Sequence, residues 1–371
     1  MSPPRVIPIQ PPSDLPKEHH GPYKPPTLSL SFSSDKPQYF KNPWPSYRMP
    51  SMSDAWLAYN KGAALALHPK KTRKWSEDEG LEESDEEEAD QIDENGAVRG
   101  EPGYILPGIY IRPELARIQR EDEAEDWREP PVDVVKPDWG EGKEGKENVT
   151  WLGHAGVLVR IPWKKNVEGR EGMCGVLFDP IFSKRCSPSQ YVGPSRYVDP
   201  PCTVSILPEI HLCFISHDHC KSTPTSGRSP ANNADDHLDY YTIMDLWKYH
   251  HRTIHFIVPQ GLKQWFEASK IPSDRITELD WWNETLISFG PLSQSPSQRP
   301  STSRDELSSE AALNLKVAFT PAQHRSGRGL MDHMKTLWGS WCVGVVESGD
   351  IGKAEQRGMK DWSGFKMFFG G

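Results

Sequence analysis

The chain contains no apolar run that approaches the ~20 residues of a bilayer span. Its amino terminus, MSPPRVIPIQPPSDLPKEHH, lacks the apolar centre of a secretory leader. No transmembrane segment and no signal peptide are therefore expected, and any membrane contact is expected to be peripheral. Basic stripes are missing too: the 371 residues carry a formal charge of −9, and no basic stripe offsets the acidic run. That removes the electrostatic footprint of a nucleic-acid binder. The six cysteines (Cys174, Cys186, Cys202, Cys213, Cys220 and Cys342) form no CxxC pair and keep no even spacing. Free thiols in a reducing, intracellular compartment are the expectation, with the protein cytoplasmic or peripheral to a membrane. No internal repeat is visible.

What the chain has in abundance is proline, 35 residues, about twice the ordinary share. This composition reads as a folded core diluted by unstructured polypeptide. Residues 1–38, rich in Pro, Ser and Lys, are expected to be a disordered tail. Residues 39–148 read as an extended segment. Within it, Asn42-Pro43-Trp44-Pro45-Ser46-Tyr47 is an aromatic–proline cluster expected to dock on the core, and Ser53–Leu67 has a helical pattern. Residues 77–94 (EDEGLEESDEEEADQIDE) form an acidic, solvated linker, and Gly103–Ile111 an ordered stretch.

From Val149 to Gly371 the pattern becomes short β-type runs bounded by Gly, Pro and Asp: Val149–Ile161, Met173–Phe182, Ile210–Ser216, Thr253–Val258, Leu315–Phe319, Leu337–Val346 and Phe365–Phe369. Leu238–His251 places Ile243, Leu246, Trp247 and His250 on one helical face, with Asp239 at the positive end of the helix dipole. Gly261–Ser269 is a second helix candidate, and residues 291–310 read as a surface insertion. Strands alternating with helices predict an α/β sandwich that carries its chemistry on loops.

The chemistry concentrates at strand ends. Ser216-His217-Asp218-His219 follows an apolar strand and presents two histidines with one residue between them. Asp235-Asp236-His237-Leu238-Asp239 adds an Asp-His pair after an interruption, and His324 ends the strand that reaches Thr320-Pro321-Ala322-Gln323. A lone histidine in such a place is usually a packing or surface residue. Three of them, two as HxH, favour metal ligation, since neutral imidazoles bind zinc at ~2.0–2.1 Å and leave a position open for water. A carboxylate–histidine pair can serve a second cation nearby. His154 in Trp151-Leu152-Gly153-His154-Ala155 and Asp179 in Phe178-Asp179-Pro180 read equally well as turn contacts or as residues that orient the metal-binding histidines.

The motifs WLGHA, FDPIFS, SPSQYVGPSRY, PCTVSILPEI, SHDH, DHLDYYT, ELDWW, TPAQH and LWGSW occur in one order. In that order the chain resembles the N-acylphosphatidylethanolamine-hydrolysing phospholipase D family of the metallo-β-lactamase superfamily, over Phe40–Tyr47 and nearly all of Val149–Gly371. The resemblance implies an αββα sandwich holding two zinc ions, incomplete at its carboxyl end in this chain. His217, His219 and His324 match the ligands of the first zinc, and Asp236 and His237 those of the second. The implied reaction is hydrolysis of the phosphodiester that joins N-acylethanolamine to phosphatidic acid, by a metal-bound hydroxide with no side-chain nucleophile. The implied partner is a phospholipid at a membrane surface, and a homodimer is compatible with the sequence.

Two departures bear on activity. Cys220–Ala234 (CKSTPTSGRSPANNA) separates His219 from Asp235-Asp236-His237, where the family reads HxHYDHLD without a break. Cys-Lys-Ser can be encoded with a splice donor and Ala-Asp with an acceptor, and removal of the stretch between them would leave Tyr in frame before Asp236. A retained intron is therefore the expectation, and a genuine Ser/Pro-rich loop the alternative. The family also continues beyond FFxG with an aspartate that bridges both metals, whereas this sequence ends at Phe368-Phe369-Gly370-Gly371. Weak or absent hydrolysis, poor solubility and one zinc or none are the expectations for the 371-residue chain. Two other readings stay open: a metallo-β-lactamase-type hydrolase of lactones or soluble phosphodiesters, and a non-catalytic metal-binding protein.

Overall fold

The computed structural model describes residues 4–11, 13–20, 39–47, 133–140, 145–163, 172–184, 196, 198–218, 238–290, 311–327 and 334–370. All of these fall in one compact unit, formed by residues 1–47 with 133–371. The second unit, residues 48–132, lies outside the described residues. So do the expected helix at Ser53–Leu67, the acidic linker 77–94, the stretch Gly103–Ile111 and both proposed insertions.

Eleven strands build two sheets in the described residues. β1 (Arg5–Pro8), β8 (Glu284–Phe289), β9 (Leu313–Thr320), β10 (Ser340–Val345) and β11 (Lys366–Phe369) lie side by side in that order, every pairing antiparallel. The other sheet runs β2 (Asn148–Trp151), β3 (Val157–Pro162), β4 (Met173–Phe178), β5 (Ile210–Phe214), β6 (His255–Pro259) and β7 (Ile276–Leu279). Its first three strands pair antiparallel, and from β4 to β7 the pairing is parallel. Parallel strands are covered on both faces, and β5 and β6 are buried at every position.

The period of two along these strands sorts side chains into two cores. Val176, Phe178, Leu212, Phe214 and Ile257 face Ile287, Leu315, Val317, Trp341 and Val343 of the other sheet. Their neighbours Leu177, Cys213, Ile215, Phe256 and Val258 point the opposite way, onto the helices. Helix α1 (Tyr240–His250) places Ile243 and Leu246 there, and α2 (Lys263–Ala268) adds Trp265 and Phe266. Trp247 is half-buried against the same core. Asp239 caps α1 by accepting the Tyr241 N–H, and its other oxygen accepts the Ser183 N–H at 3.0 Å. One residue thus starts the helix and ties down the loop after β4.

The helix layer, the six-stranded sheet and the five-stranded sheet define an α/β architecture. On the outer face of the five-stranded sheet, Leu286 packs with Val346, Ala354 and Trp362. A fully buried Lys316 anchors that cover, since its ammonium meets Glu284 at 2.7 Å and donates to the carbonyls of Gln356 and Gly358.

Two expectations are corrected. Residues 1–38 are not uniformly a disordered tail: Arg5–Pro8 pairs along β8, Ile7 is buried, and Thr285 donates to the Ile7 carbonyl at 3.0 Å. Proline-rich composition hid this strand because an edge strand tolerates prolines that a central one would not. The second correction is to the division at residue 148. Residues 39–47 and 133–148 belong to the same unit as the sheets. β7 and β8 were also not anticipated, since Trp281, Trp282 and Asn283 obscure the alternation between them.

Candidate metal centre

The carboxyl ends of the parallel strands are where an α/β sheet opens loops for chemistry. β4 ends at Phe178 and delivers Asp179; β5 ends at Phe214 and delivers Ser216, His217 and Asp218. β9 ends at Thr320 in the facing sheet and delivers His324 four residues later. Donors from the five-stranded sheet and its loops hold the backbone after β5. Trp341 Nε1 donates to the Ile215 carbonyl at 3.0 Å, the Gly339 N–H to Ser216 at 3.1 Å and the Gly327 N–H to Asp218 at 2.8 Å. Gly339 has no room for a side chain: a Cβ there would lie 2.5 Å from the Thr320 carbonyl oxygen.

This stitching brings His217 and His324 together. Their Nε2 atoms are 2.8 Å apart, with ring planes at 82°. His217 is buried, whereas His324 is exposed to solvent. Behind His217 runs a polar relay. Asp179, wholly buried and at φ 36°, accepts the Ser216 N–H at 2.7 Å on Oδ1 and the Ser216 hydroxyl on Oδ2. Ser216 Oγ lies 2.7 Å from His217 Nδ1. With its only proton on Asp179, the hydroxyl accepts from Nδ1–H, which fixes the tautomer and turns a lone pair on Nε2 toward His324. The left-handed backbone at Asp179 is the kind of local strain that marks functional turns.

Asn42 supports the partner histidine. Its Nδ2 donates to the His324 carbonyl at 2.7 Å, and Gln323 Nε2 donates to Ser46 Oγ at 2.8 Å. Trp44 stacks edge-on against Trp281 at 5.4 Å, so the aromatic–proline cluster docks on the core. His154 also has a left-handed backbone, φ 51°; it is exposed, and its Nδ1 accepts the N–H of Ala155 at 2.8 Å. His219, Asp236 and His237 lie outside the described residues.

The donor set suits a metal. Two imidazole nitrogens converge, one with its tautomer set by a carboxylate acting through a hydroxyl, an arrangement that orients metal-binding histidines. The described thiols stay apart from it. Cys174, Cys202, Cys213 and Cys342 are free, and burial pushes each pKa up, for Cys213 with help from the Asp179 charge.

Sequence reasoning missed Ser216, whose role appears only once Asp179 is placed beside it. It also missed His19, His20 and Asp280, which meet in the described structure: His19 Nε2 and His20 Nε2 each lie 2.6 Å from one oxygen of Asp280. The His-His dipeptide was the available signal, but it lies in a segment whose composition reads as disordered.

No protein-family model matches the chain. Over 211 residues it is 31% identical to an uncharacterised protein of Mycobacterium tuberculosis, covering 57% of this chain and 42% of that protein. Over 200 residues it is 31% identical to N-acyl-phosphatidylethanolamine-hydrolyzing phospholipase D 1 of Caenorhabditis elegans, covering 52% of this chain and 42% of the relative. A protein of Saccharomyces cerevisiae named as a mitochondrial phospholipase D of the same kind is 25% identical over 168 residues, covering 45% of this chain and 27% of that protein. The chain is therefore similar, over about half of its length, to proteins named as N-acyl-phosphatidylethanolamine-hydrolysing phospholipases D. It spans about two fifths of the length of the first two of these relatives. Among the described residues, no helix is long and apolar enough to cross a membrane.

Proposed function

We propose that this chain carries the metal centre of a phosphodiesterase that cleaves N-acylphosphatidylethanolamine into N-acylethanolamine and phosphatidic acid, on an αββα metallo-β-lactamase scaffold. The observation that carries the reading is the convergence of His217 and His324 at 2.8 Å, with Asp179 and Ser216 behind His217. His217, His219 and His324 would hold one zinc ion, and Asp236 and His237 a second. Zinc held there supplies Lewis acidity, which eases deprotonation of water and polarises a phosphoryl oxygen.

The chain's own residues have three tasks. Asp179, through Ser216, keeps the proton on His217 Nδ1 and so keeps Nε2 available as a ligand. Asn42 holds the His324 backbone in place. Trp341, Gly339 and Gly327 fix the carbonyls of the loop that bears His217, which keeps the ligand geometry from relaxing into solvent. The substrate would be met at a membrane surface by a protein peripheral to it.

The test compares the 371-residue chain with a variant lacking residues 220–234 and carrying Asp235→Tyr, which rejoins His219 to Asp236. Both are loaded with zinc and assayed on N-acylphosphatidylethanolamine in vesicles. Release of N-acylethanolamine that is greater in the rejoined variant and abolished by His217→Ala is the expected result. A zinc-loaded, folded variant that cleaves a soluble phosphodiester or a lactone but not the lipid would overturn the substrate assignment.

A further inference from the structure

His19, His20 and Asp280 meet at the turn before β8, on segments other than those that carry His217 and His324. Their meeting needs an explanation beyond simple tethering. Adjacent residues in an extended segment point to opposite faces, yet both imidazoles reach the same carboxylate. The turn closed by the His20 N–H on the Lys17 carbonyl, at 2.9 Å, makes this possible by rotating the backbone. His20 then bridges Phe40, and the Lys41 N–H donates to the His19 carbonyl at 2.6 Å. The rings pack edge to face at 4.4 Å, and Trp281 and Phe40 wall the site on its apolar side. Asp280 Oδ1 also accepts the Trp281 N–H at 2.8 Å. Burial alone would raise the Asp280 pKa, but the hydrogen bonds from His19 and His20 outweigh it and hold the carboxyl at about 2.

We propose that His19, His20 and Asp280 form a transition-metal site, of the zinc or iron(II) class, separate from the centre at His217. Two imidazoles and one carboxylate whose ligand atoms all lie within 4.8 Å of one another are the two-histidine, one-carboxylate set that such ions favour. Magnesium and calcium, which take oxygen ligands, are not matched. A cation would replace the hydrogen bonds that now join the two Nε2 atoms to the carboxylate, with each ring in the tautomer that carries its proton on Nδ1. The present 2.6 Å contacts would open to the roughly 3.3 Å separation of neighbouring ligands on a tetrahedral zinc. Asp280 also lines a cavity of about 500 Å³ together with Gln260, Glu278 and Asn283. The Gln260 side-chain oxygen is buried there with no hydrogen-bond partner. The ion would fasten the amino-terminal segment to the turn before β8, a role independent of any hydrolysis at His217.

The test uses the full chain, stripped of metal and titrated with cobalt(II), followed by visible absorption and metal analysis. His217→Ala with His324→Ala disables the first centre. In that background, adding His19→Gln and His20→Gln is expected to remove one cobalt equivalent; equal stoichiometry with and without them would overturn the proposal. Should the quadruple variant lose its fold, Asp280→Asn in the same background decides. It keeps the size and one acceptor, and it is expected to weaken cobalt and zinc binding at least tenfold while circular dichroism stays native. Unchanged affinity in that variant would overturn the site.

Discussion

The two histidine constellations of this protein are assembled by opposite means. At His217 and His324 the ligands sit at the ends of buried strands, and the sheets carry them to within 2.8 Å. At His19 and His20 a single turn in a proline-rich segment presents both rings to Asp280, 260 residues away. The first depends on a packed core and fails with it. The second depends on a clasp at the surface of that core. The comparison teaches that a ligand set can be either a product of the fold or a fastener applied to it, and substitutions should separate the two.

The largest separation is expected from the core. Trp341 is wholly buried between the sheets and donates to the Ile215 carbonyl two residues before His217. Trp341→Ala should cost about 3–5 kcal/mol through the cavity it leaves, with a further loss from the unpaired carbonyl. Urea unfolding followed by tryptophan fluorescence and circular dichroism measures it, and metal binding at His217 should fail before binding at His19 and His20. Simultaneous loss at both would show the clasp to be part of the same cooperative unit.

Next comes the relay. Asp179→Ala removes the acceptor for two groups of Ser216 and should weaken metal affinity at His217 by about 10–100-fold. Competition against a chromogenic chelator reports it, and binding at Asp280 should be unaffected. Equal weakening at both places would break the distinction.

Acid should also separate the buried core strands from the clasp, in different pH windows. Burial foremost lowers the His211 pKa to about 3 and that of His255 to about 4, so both stay neutral in the fold. Their folded values lie below the unfolded 6.5, so the unfolded chain takes up protons first as pH falls. Stability is thus lost from pH 6.5 downward, at up to about 1.4 kcal/mol per pH unit for each histidine. Asp280, whose pKa is depressed from 3.8 to about 2, contributes stability that is lost only below pH 3.8. Thermal melts between pH 7 and pH 4 should therefore fall steeply in the native chain and less steeply in His255→Gln; equal slopes would refute the assignment.

The smallest effect is expected at the seam where the clasped segment meets the strand-borne site. Asn42→Ala deletes one exposed hydrogen bond to the His324 carbonyl and should cost about 0.5–1.5 kcal/mol. That loss should appear as weaker metal binding at His217 and His324 rather than as a lower melting temperature.

Much of this molecule was legible in its sequence. The strands β3, β4, β5, β6, β9, β10 and β11 and the face of α1 are local patterns of burial, and β-branched or aromatic alternation writes them into the chain. The placing of His217 and His324 just after strands was legible because an apolar run precedes each. β1 was not, since composition argued for disorder, and its strand exists only because β8 offers an edge to pair with. Asp179 could be read either way, because its meaning depends on Ser216 lying across a parallel pairing.

The sequence by itself determined the residue types: the periods that make two sheets and a helix layer, the imidazoles, and the order of motifs that carries the resemblance to a phospholipase family. Tertiary structure alone decided which residues meet. A carboxylate orients a histidine, or gathers two, across separations of 38 or 260 positions, and no local propensity encodes such distances. The parallel pairing of β4 with β5 holds Asp179 behind His217, and the turn closed by Lys17 and His20 lays two imidazoles on Asp280.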